Sequence, residues 1–386
     1  MFKRPKHIPV PSDCPLPVGI DIVALNEVKD GVGTMEFGVS CGYIDEIGYV
    51  SHAENLGFSY AWFSDTHMIR SNIWATMAVA AQQTRTIRLG SGLAIPGLRL
   101  APVAACGIAT INRIAPGRTF FGTGTGNTAM RTMGQSPTRI TEFAEYIRVV
   151  KALLQGEETE YSLNGSSHPI RFQNVELGYI DIEHHIPIMV GGFGPRAQGL
   201  AGELGDGLIT GIPRGGAIPQ ALANVKKGAD KAGRSLDDFQ TYALVNLLML
   251  ENGETLESER VIAECGPAIM ANVHYLVDFV KETGRQPPDY IMPIWEEYMD
   301  FHMSRDEETR HQKMHASHYS YLDEDEARFV TPEIIRNFCI AGHPEEIVEQ
   351  IRTLEKQGLN AMTFSLPVDK MYRQIEDFSR NVMSKL

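Results

Sequence analysis

Several absences bound what this chain can be. No apolar run reaches the ~18 residues that read as a membrane span. The basic start of "MFKRPKHIPVPSDCPLPVGI" is broken by prolines and followed by no apolar core, so no signal peptide is expected. Cysteine is scarce. Cys14, Cys41, Cys106, Cys265 and Cys339 are scattered without a C-x-x-C pair, which points to reduced thiols in a reducing compartment. Surplus positive charge is missing as well: the net charge of −13 argues against a nucleic-acid or anionic-membrane partner. A cytoplasmic protein acting on a small molecule is the expectation.

Two nucleotide motifs are also missing. No Gly-Lys pair occurs anywhere, which excludes a P-loop. The run "RTFFGTGTGN" (118–127) spaces Gly122, Gly124 and Gly126 as G-x-G-x-G with Asn127 next, so it fails the dinucleotide fingerprint G-x-G-x-x-G. Yet it is glycine-rich directly after a strand pattern. A second such turn, "GGFGPRAQGLAGELGDG" (191–207), ends a strand at Gly191, Gly192, Phe193 and Gly194 and opens a helix at Pro195. Free N–H groups at that helix start form an anion site, to which Arg196 could add a charged donor.

What is present is alternation. Residues 1–34 read as a proline-rich extension, and residues 35–386 as a single domain. Strand patterns fall at 35–40, 60–65, 87–95, 118–124, 187–192, 207–212, 242–250 and 360–366, with amphipathic helices between them. Eight β/α units at this length favour a closed (β/α)8 TIM barrel of parallel strands over an open sheet. Two interruptions stand out. "EYSLNGSSHPIRF" (160–172) reads as a hairpin turning at Asn164-Gly165, inserted after unit four, and a long irregular insertion spans about 284–332, after strand seven. In such a barrel the strand C-termini build the active face, which puts both glycine-rich turns on one rim.

The segments "AENLGFSYAWFSDTH", "TIRLGSGLAIPGLRLAPV", "APGRTFFGTGTGN", "GGFGPRAQGLAGELGDGLI" and "GHPEEIVEQIRTLEKQGLNAMTFSL" resemble the bacterial luciferase-like superfamily. That group contains flavin-dependent monooxygenases and coenzyme F420-dependent oxidoreductases such as methylenetetrahydromethanopterin reductase. The resemblance implies a ring-bearing coenzyme in the barrel mouth. Asp65, His67, Ser91, Gly92 and Thr123, Gly124, Thr125, Gly126 and Asn127 would lie around the ring, and Gly191 to Gly194 would hold the phosphate. It also implies a bulge or non-prolyl cis peptide within Gly90–Leu93. The sequence departs from the F420-dependent sugar-phosphate and alcohol dehydrogenases, which carry His-x-x-x-Trp after strand two. Here seven positions separate His67 from Trp74, and Asn127 stands where those enzymes have a Glu.

His67, with Asp65 and Asn127, forms the catalytic candidate set, since a histidine at an active-face strand end beside a carboxylate suits proton transfer. His184 and His185 precede strand five and belong to the opposite face. In the insertion, His302, His311, His315 and His318 raise a zinc alternative with Asp323 or Glu324, but no familiar ligand spacing is present, and no metal is expected. Instead His315 and His318, with Trp295, are expected to line a substrate pocket under a lid. The leading expectation is a two-component monooxygenase using reduced FMN and oxygen, supplied by a separate flavin reductase, with Trp62, Phe63 and Trp295 shielding the reaction from water. The alternatives are hydride transfer with F420, a non-catalytic luciferase-like subunit, and a zinc hydrolase on the same barrel. A homo-oligomer is implied by the resemblance.

Overall fold

The computed structural model describes residues 35–212 and 216–386; the proline-rich extension and Cys14 lie outside them. The chain alternates strand and helix as the sequence pattern predicts. The strands are β1 (Glu36–Cys41), β2 (Tyr60–Phe63), β3 (Arg88–Ser91), β4 (Thr119–Thr123), β5 (Thr159–Leu163), β6 (Ser166–Ile170), β7 (Ile188–Gly191), β8 (Gly207–Gly211), β9 (Gln240–Met249), β10 (Cys339–Gly342) and β11 (Ala361–Phe364). Parallel pairing runs β11-β1-β2-β3-β4-β7-β8-β9, and β9 pairs back onto β11, so eight strands close into a TIM barrel. β5 and β6 form the antiparallel hairpin, turned at Asn164 and Gly165 with φ of 52° and 81°, the left-handed geometry of a tight hairpin turn.

Side chains alternate across the barrel wall, as a pleated strand requires. On β2, Ala61 and Phe63 face outward into the main core shared with the surrounding helices. Tyr60 and Trp62 face inward, where they meet Phe120, Met189, Ile209 and Tyr242. Phe63 therefore packs under helices and does not shield the mouth, whereas Trp62 does reach it. Among the described residues, no helix is long and apolar enough to cross a membrane.

The stretch 284–332 differs from the irregular loop expected. It holds helices Met292–Ser304 and Arg310–His315, then leads into helix Pro332–Phe338 and β10, which pairs with the far half of β9 outside the closed ring. These elements pack on the long helix Glu259–Thr283 to make a second hydrophobic core containing Ile269, Val273, Tyr298, Phe329 and Phe338. Their helical signal was hidden because exposed methionines such as Met292 and Met303 lie off the apolar stripe of Ile294, Trp295 and Tyr298, and because β10 is only four residues long. Trp295 is buried in this second core, which is why it does not line a substrate pocket.

Candidate functional site

The strand C-termini open into a cavity of about 360 Å³. The ends of β4 and β7 supply two of its edges: Gly124, Thr125, Gly126 and Asn127 on one, and Gly191, Gly192, Phe193 and Gly194 on the other. The two glycine-rich turns thus bound a single space.

Each glycine is explained by what a side chain would strike. A β-carbon on Gly122 would lie 2.0 Å from the Ser91 carbonyl oxygen, and one on Gly124 would lie 2.7 Å from Leu93 Cδ1. These two glycines let β3 and the Leu93 side chain press against β4, rather than clearing room for a ring. Gly126 has φ of 85°, the left-handed region, where a side chain would be strained, and it caps the short helix Asn127–Arg131. On the other edge, a β-carbon at Gly192 would sit 3.0 Å from the backbone of Ala197 and Gln198, so the strand end abuts the first turn of helix Pro195–Leu204. That helix begins at Gly194 without any side-chain cap. The peptide between Gly92 and Leu93 is cis, within the stretch where a distortion was expected.

The other sequence candidates divide. Asp65, Gly92 and His318 line the cavity. Ser91 and Thr123 do not, because both hydroxyls are spent on the backbone: Ser91 Oγ donates to Gly122 O at 2.7 Å and Thr123 Oγ1 to Ala94 O at 2.9 Å. They lock β3 to β4 beneath the site. His67 is exposed on the loop after β2 and is not a lining residue; Thr66 takes that place. Arg196 is exposed and also off the cavity wall. His315 is buried and turned to Asp278, its Nε2 at 3.0 Å from Oδ2, while His311 packs near Gly134. The insertion histidines therefore diverge, and among the described residues no group of three or more His, Cys, Asp or Glu is placed to hold a metal ion.

The charged groups that organise the mouth are arginines that sequence reasoning passed over. Arg99 pairs with Asp65, whose side chain is only 1% exposed. Burial pushes the Asp65 carboxyl above its ordinary range, and Arg99 opposes that shift. Arg131 Nε donates to Asn127 Oδ1 at 2.7 Å and lies 3.1 Å from Asp278 Oδ2, while its Nη2 reaches Glu282 at 2.7 Å. Asp278 in turn holds His315, so one chain of contacts runs from the β4 rim into the insertion. Burial drives the His315 imidazole below its ordinary value against the pull of Asp278. Arg70 donates to the His318 carbonyl at 2.7 Å and to Ser320 Oγ at 2.8 Å, pinning the insertion to the β2 loop. A cation within a few positions of an active-face strand end was the signal available for Arg70 and Arg131.

A closed parallel barrel whose strand C-termini open into a cavity bordered by two glycine-rich strand ends has the architecture of the α/β-barrel enzymes. The sequence model of the luciferase-like monooxygenase family matches residues 20–361, and the chain belongs to that family. It is an oxidoreductase. It is 27% identical over 359 residues to a 5,10-methylenetetrahydromethanopterin reductase of Archaeoglobus fulgidus, covering 91% of this chain and 98% of the relative. It is 24% identical over 355 residues to an F420-dependent glucose-6-phosphate dehydrogenase of Amycolatopsis mediterranei, covering 89% and 94%. The solved coenzyme F420-dependent tetrahydromethanopterin reductase of Methanopyrus kandleri shares the fold, with a TM-score of 0.64 at 23% identity over 91% of this chain and 99% of that one.

Proposed function

We propose that this chain is an F420-dependent oxidoreductase, the alternative of the sequence reading, in place of the FMN monooxygenase that led it. The observation that carries the proposal is the pair of glycine-rich edges bordering one cavity. Support for the choice of coenzyme comes from the curated relatives, one of which is F420-dependent by name and which match nearly their whole length here.

The residues present fit such a coenzyme. At Gly194 a β-carbon would meet nothing within 4 Å, so the rim is open just where helix Pro195–Leu204 leaves its first N–H groups without a side-chain cap. Those groups and the helix dipole would hold a phosphate. Gly124 to Asn127 and Gly92 would border the ring, with Leu93, Ile95 and Ile209 supplying apolar surface that keeps water away. Bound there, the deazaflavin supplies a two-electron hydride donor and acceptor that makes no use of oxygen.

The chain's own part is proton handling and orientation. Asp65 is the lining acid whose proton affinity burial has raised, so its carboxyl is the group placed to give or take a proton at the substrate. Arg99 fixes its orientation from one side. Arg131 holds the Asn127 side chain against the short helix after β4, keeping that rim in one conformation.

Parallel titrations with F420 and FMN test the proposal, followed by mixing with oxygen. We expect F420 to bind with the greater affinity, the reduced coenzyme to persist in oxygenated buffer, and no flavin hydroperoxide absorbance. Preferential FMN binding with that absorbance on mixing reduced FMN and oxygen would restore the monooxygenase reading.

A further inference from the structure

Three polar atoms in the cavity walls stand without hydrogen-bond partners, two of them on neighbouring parts of one wall. Trp62 Nε1 and Thr363 Oγ1 are buried and make no hydrogen bond, although their residues are only 2% and 1% exposed. A third unpartnered atom, Thr210 Oγ1 on β8, also belongs to a residue that lines the cavity, on the opposite side of the barrel from β2. Trp62 and Thr363 share the wall formed by β11, β1 and β2. A buried polar group without a partner carries an uncompensated desolvation penalty, so such groups call for an occupant.

Their position says which one. β2 pairs with β1 so that Ser40 stands beside Trp62, and β11 pairs with β1 so that Gly38 stands beside Thr363. In the ring order β11-β1-β2-β3-β4-β7-β8-β9, the β11–β1–β2 wall lies across the barrel from the glycine-rich ends of β4 and β7. A coenzyme seated on those ends leaves this wall to the substrate. The indole is held in place by edge contacts with Phe120 and Tyr242 at 4.5 and 5.3 Å, and by Gly92, where a β-carbon would come within 2.9 Å of Trp62 Cβ. Gly38 leaves room beside the Thr363 hydroxyl, at 3.4 Å from the β-carbon it lacks.

We infer that the β11–β1–β2 wall is the substrate subsite, and that Trp62 Nε1 and Thr363 Oγ1 anchor an uncharged oxygen acceptor on the substrate, a carbonyl or hydroxyl oxygen. An indole N–H only donates, so its partner must accept. Arg131, the arginine among the described residues that lines the cavity, is paired with Asp278 and Glu282, and Arg99 is paired with Asp65, so neither presents an uncompensated charge to a carboxylate or phosphate. Ser40, the other inward residue at this level, is neutral and lines the same cavity. The inference rests on the coenzyme reading only for what occupies the opposite wall.

The test uses cyclohexanone as a neutral probe and cyclohexanecarboxylate as a charged one. Affinity is measured by saturation-transfer NMR, and hydrogen bonding by the infrared carbonyl band of bound, isotope-labelled cyclohexanone. In the wild type we expect the ketone to bind with its band shifted to lower frequency, and the carboxylate to bind more weakly. Thr363→Val keeps the side-chain shape and removes the hydroxyl. It should weaken ketone binding about five- to tenfold and move the band back toward higher frequency, while Thr363→Ser restores both. Trp62→Phe should act in the same direction, and the threonine pair stands alone if that variant does not fold. An absent or unshifted wild-type band, tighter carboxylate binding, or a Thr363→Val variant indistinguishable from wild type overturns the inference. F420 titration of Thr363→Val separates the two proposals. Unchanged coenzyme affinity beside weakened ketone binding supports the subsite. Lost coenzyme affinity with intact ketone binding assigns the hydroxyl to the coenzyme and overturns it. A wild type that prefers FMN removes the coenzyme proposal while leaving the carbonyl band to decide this one.

Discussion

Gly191 and Gly124 meet across the Leu93 side chain: a β-carbon on Gly191 would lie 3.7 Å from Gly124 Cα and 2.4 Å from Leu93 Cδ1. The two edges of the cavity are therefore set by one packing contact, and a methyl group at either glycine displaces Leu93. Gly191→Ala is expected to cost about 1–3 kcal/mol through overpacking and to lower coenzyme affinity. Adding Leu93→Ala should recover part of both losses. Chemical denaturation and F420 titration of the single and double variants check this.

The glycines of the two edges should not be equivalent. At Gly122 the obstacle is the Ser91 carbonyl, which is backbone and cannot swing aside, so Gly122→Ala should destabilise by about 3 kcal/mol or more. Gly194 has φ of −104° and ψ of 160°, ordinary extended backbone, with open space beside it. Gly194→Ala should change stability by no more than about 0.5 kcal/mol. Any loss of coenzyme affinity in that variant would then report contact at the rim itself.

The Arg99–Asp65 pair carries a pH signature. Replacing Arg99 by Leu leaves a buried carboxylate without its cation, an expected cost of about 3–5 kcal/mol at neutral pH. The folded-state pKa of Asp65 is already raised by burial and will rise further without Arg99. A raised acid favours the folded state at low pH and loses that advantage as pH climbs through the folded pKa. The deficit of Arg99→Leu relative to wild type should thus shrink toward pH 4 and be largest at pH 7, as read by urea midpoints across that range.

Glu326 has the opposite sign. Burial works to raise its pKa, but His274 Nε2 at 3.0 Å, the Tyr298 hydroxyl at 2.9 Å and Arg305 at 2.8 Å outweigh it and hold the carboxyl down at about 2. Stability from this lowered acid is complete above its unfolded value and is lost as pH falls from about 4.5 to 2. Glu326→Gln should unfold more easily at neutral pH, by about 3 kcal/mol, and should show a flatter acid limb than wild type in circular dichroism. Because the network joins helix Glu259–Thr283 to the insertion, hydrogen exchange of residues 292–329 should also quicken in that variant.

Much of the fold was legible because barrel strands announce themselves locally. Short apolar runs bounded by glycine or proline, each followed by an amphipathic helix, located all eight barrel strands to within a few residues, and Asn164-Gly165 named its own hairpin. The insertion was opaque because exposed methionines, Met292 and Met303, blur the single apolar stripe of helix Met292–Ser304, whose buried residues Ile294, Trp295, Tyr298 and His302 lie on one face. At the site, the glycine runs were visible as a composition anomaly, but their purpose was not. Gly122 and Gly124 serve Leu93 and the Ser91 carbonyl, and Ser91 and Thr123 spend their hydroxyls on neighbouring backbone. These are contacts between segments about 30 residues apart.

The order of residues along the chain settled the barrel, the active face and the two glycine-rich turns, since periodicity, turn chemistry and strand polarity are local or follow from chain connectivity. Closure of the barrel settled which side chains share the cavity. It brought Asp65 to Arg99 and left His67 in solvent; it joined Arg131 to Asp278, buried Trp295 in a second core, and set Trp62 and Thr363 on one wall of the cavity. Burial and pairing are properties of neighbours distant in sequence, and no local pattern records them.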